Sequence, residues 1–153
     1  MSATQRLADL GLSLPPVPTP AAAYQPFAAS GQLILTAGQL PTVDGTLQQT
    51  GKLGDVLTTD DGNQLARTAA LNVLAIAAAA SGDLDRVRVV KLTVFVASAP
   101  TFTEQHLVAN GASNLIGEVL GDRGVHARSA VGVAVLPLDS PVEVEAILEV
   151  VDH

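Results

Sequence analysis

The sequence predicts an α+β domain in which two helices lie on one face of a mixed β-sheet. Three observations carry that expectation. "TTDDGNQLARTAALNVLAIAAAASG" (58–82) repeats its apolar residues at helical spacing, and "FTEQHLVANGASNLIGEVLG" (102–121) reads as a second helix. Between them "RVRVVKLTVFVAS" (86–98) is β-branched with apolar side chains on both faces, as a central strand requires. The order strand or hairpin, helix, strand, helix, strand, strand then fits helices segregated to one side of a sheet.

Each element follows from local chemistry. "SATQRLADLGL" is a short amphipathic piece, and the prolines of "SLPPVPTPAAAYQPF" forbid regular helix after it, so residues 1–20 are expected to form an N-terminal extension. "GQLILTAG" (31–38) is a β-rich run bounded by glycines, and "LPTVDGTLQQTGKLGD" (40–55) carries turn residues throughout, which suits a hairpin-like loop. The long helix opens on Thr58 with Asp60 and Asp61 where free backbone N–H groups want acceptors, and Gly82 is placed to cap its end. Leu65, Ala69, Val73, Ile76 and Ala80 share one face, with Arg67 and Asn72 elsewhere around the axis. In the central strand Val90, Leu92, Val94 and Val96 are expected on one face and Val87, Val89 and Phe95 on the other. Gly111 weakens the second helix, which Gly121 would end. Strands from about Ser129 to Leu136 and from about Val142 to Val151 close the chain. Helices on one side only would leave the far face of the sheet to be covered by other subunits of a symmetric oligomer.

Composition narrows the function. A length of 153 residues with no linker or repeat implies one domain over 1–153. Only 15% of residues are charged against 48% hydrophobic, which again points to self-association. The net charge of −7 argues against binding nucleic acid, because nothing here would displace counterions from phosphates. Cysteine is absent, which excludes disulfides and thiolate chemistry. No apolar run reaches membrane-spanning length and no signal-peptide pattern opens the chain, so a cytoplasmic location without membrane contact is the expectation.

The closing stretch "VHARSAVGVAVLPLDSPVEVEAILEVV" (125–151) holds one cation, Arg128, and three alternating carboxylates, Glu143, Glu145 and Glu149. Alternation puts Val142, Val144, Ala146, Leu148 and Val150 toward the core and the glutamates on the other face. That face is either a solvated strand surface or the wall of a cleft. A planar guanidinium can hold a carboxylate by two parallel charge-assisted hydrogen bonds, so Arg128 is either a ligand fork or a structural salt bridge to a neighbouring glutamate. His106, His126 and His153 show no metal-ligand spacing, and no metal is expected. No nucleophile elbow, Walker loop or dinucleotide fingerprint occurs.

These residues resemble the RidA/YjgF family of enamine and imine deaminases, formerly called the endoribonuclease L-PSP family. "PAAAYQPFAASGQLILTAGQLP" is similar to the family's tyrosine-containing opening and its S/A-G-Q-[IL]-P turn. "RTAALNVLAIAAAASGDLDRVRVVKLTVFVAS" resembles its helix, its A-G-x-L-x-D-V turn and its K-x-T-V-F-V strand. "HARSAVGVAVLPLDSPVEVEAI" resembles its closing P-A-R-S-x-V-x-V-x-x-L-P-x-x-x-x-V-E-I-E-A signature, the most specific block. The resemblance implies a chorismate-mutase-like fold, a homotrimer with sites at subunit interfaces, and no cofactor. It implies that Arg128 grips a substrate carboxylate and Glu145 helps place a water. Gly38 and Tyr24 would line the same pocket, and the family's helix asparagine corresponds to Asn110. Ala130 stands near the water where many members have cysteine; with the longer arm and turn region it marks a divergent branch.

The implied reaction is hydrolysis of a 2-imino or 2-enamine acid. Arg128 fixes the carboxylate, a water on Glu145 attacks the C=N carbon, and the carbinolamine breaks down to a 2-oxo acid and ammonium. The alternative is a non-catalytic module that captures small carboxylates to sense them or regulate a partner. Ribonuclease activity, ascribed to some relatives, is disfavoured by the acidic charge. The hydrophobic content would also suit chaperone-like binding.

Overall fold

The computed structural model describes residues 1–17 and 23–152. In chain order the elements are α1 (Ala3–Asp9), β1 (Phe27–Ser30), β2 (Leu33–Thr36), β3 (Thr42–Val43), β4 (Thr46–Leu47), α2 (Thr59–Ser81), β5 (Val87–Ala97), α3 (Gln105–Leu120), β6 (Ala127–Val133) and β7 (Val142–Val150). Five strands form one sheet in the order β1-β2-β7-β5-β6, antiparallel except for the parallel β5–β6 pair. The predicted α+β architecture is what the chain adopts, with α2 and α3 packed on each other and on one face of the sheet.

Helix α2 begins where the acceptors stand. The Thr58 hydroxyl accepts from the Asp61 N–H at 3.2 Å while the Asp61 carboxylate accepts from the Thr58 N–H at 2.8 Å, a reciprocal cap that draws the Asp61 carboxyl below its ordinary value. Gly82 ends it in the left-handed conformation. Helix α3 keeps Gly111 because α2 passes directly behind it. A Cβ there would overlap the Asn63 carbonyl oxygen, so the residue that weakens the isolated helix is the one its packing needs. Asn72 of α2 is buried. Its amide donates to the Leu40 and Thr42 carbonyls at 3.0 and 3.1 Å, pinning the loop before the β3–β4 hairpin to the helix. That hairpin turns on Asp44 and Gly45, both at positive φ.

The central strand departs from simple alternation. A bulge between Val89 and Lys91 shifts the register against β7, so Val87 and Val89 fall on the same buried face as Leu92, Val94 and Val96. The expectation that Val87 and Val89 face away from the helices is thereby corrected: the far face of β5 presents Lys91, Thr93 and Phe95, all half-buried. Around them on that face stand Leu33, Leu35, Glu143, Glu145, Ile147 and Glu149. Leu35 is 43% exposed, so an apolar strip remains open to solvent in the single chain. The start of the chain is tied down: Ala3 and Leu7 are buried, and the Ala3 N–H donates to Asp85 at 2.9 Å. Among the described residues no helix is long and apolar enough to cross a membrane.

Candidate functional site

Arg128 lies near the start of β6, an edge strand, level with Leu92 of β5, whose side chain is on the helix side of the sheet. Its guanidinium therefore meets α3. Nη1 donates to Asn110 Oδ1 at 2.9 Å and to Ser113 Oγ at 3.1 Å, and Nη2 donates to the His106 carbonyl at 3.2 Å. Residues three apart on a helix share a face, which is why Asn110 and Ser113 meet the same nitrogen. All three partners are neutral, and among the described residues no carboxylate pairs with Arg128. An arginine has five N–H donors. These bonds leave Nε–H and one hydrogen on Nη2 for something else.

Beside the guanidinium opens a hollow of about 370 Å³ lined by Ser113, Gly117, Gly124, Val125, His126 and Arg128. His126, in the loop before β6, bonds through Nδ1 to the Gly124 carbonyl at 2.6 Å and through Nε2 to Ser113 Oγ at 2.9 Å. Ser113 and His126 belong to this corner, and sequence reasoning did not place them in it. The signal was available: a serine three residues after Asn110 on one helix face, and a histidine two residues before Arg128 in the lead-in to its strand.

The glutamates lie on the opposite side of the sheet. Glu145 is level with Thr93 of β5, which in turn is level with Ser129, so Glu145 and Arg128 point away from each other within one chain. Glu145 borders a smaller hollow of about 120 Å³ with Leu35, Thr36, Thr93, Ala146 and Ile147. Its neighbour Glu143 is packed against Gly38, where a Cβ would overlap the Glu143 carboxylate. Burial pushes the Glu143 carboxyl above its ordinary value, and repulsion from Glu145 adds to the shift. Glu149 is neutralised by Arg88, whose Nε and Nη2 both donate to its Oε2, at 2.9 and 2.7 Å.

The six residues singled out in the sequence thus divide into two groups. Arg128 and Asn110 are in direct contact, and Ala130 follows Arg128 on the same side of β6, packed against the core. Gly38 and Glu145 belong with the other face, and Tyr24, half exposed, precedes β1 at the far edge of the sheet from β6. Among the described residues no group of three or more His, Asp and Glu side chains gathers to hold a metal ion.

The geometry defines an α+β domain with a cationic hollow at one sheet edge and a carboxylate-bearing open face. Residues 4–150 match the family described as "YjgF/chorismate mutase-like, putative endoribonuclease", and the chain belongs to that family. It is 52% identical over 145 residues to Protein TCP17 of Trypanosoma cruzi, covering 94% of this chain and 91% of that protein. Among solved structures it is similar to the protein Atu1372 of Agrobacterium tumefaciens, described as of unknown function, at 47% identity and a TM-score of 0.90, with 97% and 92% of the two chains covered. It is also similar to E. coli TdcF with bound serine, at 26% identity and a TM-score of 0.64, with 89% and 94% covered.

Proposed function

We propose that this single-domain protein hydrolyses reactive 2-imino and 2-enamine acids to 2-oxo acids and ammonia, without a metal or cofactor, in the cytoplasm. One observation carries the reading: Arg128 is held by neutral acceptors alone, beside a hollow, with Nε–H and one Nη2 hydrogen unspent. Two such donors match the two oxygens of a carboxylate. Family membership and the bound serine of TdcF, itself an amino acid with a carboxylate, support a small acid as ligand.

Catalysis asks more than binding, because Glu145 must hold a water near the carbon that Arg128 presents. Within one chain those side chains occupy opposite sides of the sheet. The reading therefore requires a second copy of the chain, as in the homotrimer that the family resemblance implies, with one protomer contributing Arg128, Asn110 and Ala130 and its neighbour contributing Glu145, Gly38 and Tyr24. The open apolar strip around Leu33 and Leu35 supports such a contact.

The test is ammonia release from 2-imino acids generated in situ by an amino-acid oxidase. Wild type should accelerate it and Arg128→Ala should lose about 100-fold or more, the scale of a lost charge-assisted anchor that orients the substrate. Sedimentation showing a monomer at assay concentration would remove the shared site. A second reading, a non-catalytic carboxylate-binding module, needs only the Arg128 corner, where Asn110, Ser113 and the His106 carbonyl hold the guanidinium without any water on Glu145. Binding of 2-oxobutyrate without faster ammonia release would select it.

A further inference from the structure

With the His126 ring neutral, the hydrogen-bond chain Gly124–His126–Ser113–Arg128 has one consistent set of donors. The Gly124 carbonyl can only accept, so His126 Nδ1 carries a hydrogen. In the neutral ring Nε2 then has none and must accept, which makes the Ser113 hydroxyl its donor. With its hydrogen committed to the histidine, Ser113 Oγ meets Arg128 as an acceptor, the role the 3.1 Å contact needs.

A second proton on the ring reverses one link. Nε2 becomes a donor, Ser113 Oγ can still accept from both His126 and Arg128 through its two lone pairs, and its own hydrogen is displaced. Ser113 lines the hollow together with Gly117, Gly124 and Val125, so that hydrogen can turn into it. Protonation thus adds a positive charge beside the guanidinium and frees a hydroxyl donor toward whatever the hollow contains.

We propose that His126 is a positioning residue that makes anion binding at Arg128 proton-linked: acid turns the Ser113 hydroxyl into the hollow, where it joins the arginine in holding a small carboxylate. This rests on the reading of Arg128 as the carboxylate fork. By reciprocity, binding the carboxylate takes up a proton. The elements packed around His126 carry other ionisable groups. Helix α3 carries His106, whose carbonyl serves Arg128, and Glu118, which is paired with Arg67. The turn before β6 carries Asp122 and Arg123, the latter paired with Asp85, and Lys91 of β5 is level with Ala127. None of these side chains bonds into the relay, and among the described residues Arg128 is the charged group that does.

The experiment is calorimetric titration of the full-length protein with 2-oxobutyrate, which stays ionised throughout, between about pH 8 and about pH 5.5. Running it in two buffers of different ionisation enthalpy counts the protons taken up. Wild type should bind about tenfold more tightly at the acid end, the equivalent of one added charge-assisted hydrogen bond, with proton uptake. His126→Gln should bind with little dependence on pH, and Ser113→Ala, which keeps the added charge but loses the hydroxyl, with a clearly smaller dependence than wild type. Wild-type binding that is flat with pH, or undiminished tightening in His126→Gln, overturns the relay and leaves the Arg128 fork standing. Wild type that binds no carboxylate at any pH overturns both.

Discussion

At the β6 edge, one helix surrounds Arg128 with three neutral acceptors, whereas on β7 Glu143 and Glu145 stand two residues apart and neither forms a hydrogen bond or ion pair among the described residues. The two regions are parts of the same sheet, yet they are stabilised differently. The arginine corner is preorganised by its own chain: three partners satisfy part of the fork and fix the guanidinium beside the hollow, so a ligand need not pay to order it. The glutamate face holds one carboxyl pushed up by burial and a like charge, beside an uncovered apolar strip. Such a surface gains from being covered, by a neighbouring subunit or by an ordered water that the carboxylates can share.

The contrast can be tested from either side. Glu145→Gln should separate the two regions most clearly, keeping 2-oxobutyrate affinity in calorimetry while slowing ammonia release by about 100-fold, the scale of a lost general base. Equal losses in both would mean that Glu145 contributes to ligand binding and is not confined to placing water. Gly111→Ala attacks the scaffold behind the arginine corner. Forcing a methyl group onto the Asn63 backbone should cost about 2 kcal/mol in urea unfolding and loosen Asn110 and Ser113 with it.

Smaller effects sharpen the picture. Asn110→Ala removes one neutral partner of Nη1, and carboxylate affinity should fall roughly fivefold, about 1 kcal/mol, with unfolding little changed. Glu143→Gln should act on the other face alone. Because burial raises its carboxyl, the folded protein holds that proton to higher pH than the unfolded chain does. Its contribution to stability is then complete below the ordinary carboxylate range and is lost as pH rises through the folded value. The variant should therefore be more stable than wild type at neutral pH, by less than about 1 kcal/mol on this partly solvated face, and the advantage should vanish in acid. Denaturant unfolding at two pH values reads the sign directly.

Much of the architecture was legible because it is written in local chemistry. Thr58, Asp61 and Gly82 bound α2 by satisfying or terminating backbone groups, and those requirements are met within a few residues of chain. The alternation of β7 was legible for the same reason, since a pleated strand exposes successive side chains to opposite faces. The bulge at Val89 and Lys91 escaped because a run of valines is apolar in either phase. Periodicity cannot report a slip that exchanges one valine for another.

By itself, then, the sequence determined the element order, the helix caps, the inward row of β7 and Arg128 as the cation at the start of its strand. Only the tertiary structure decided what that cation touches. Whether an arginine meets a glutamate two strands away or an asparagine, a serine and a carbonyl on a helix depends on which side of the sheet it leaves and what packs there. Those are long-range facts. They set Arg128 and Glu145 back to back across one sheet, because side chains of neighbouring register positions leave a strand on opposite faces whatever their charges would prefer.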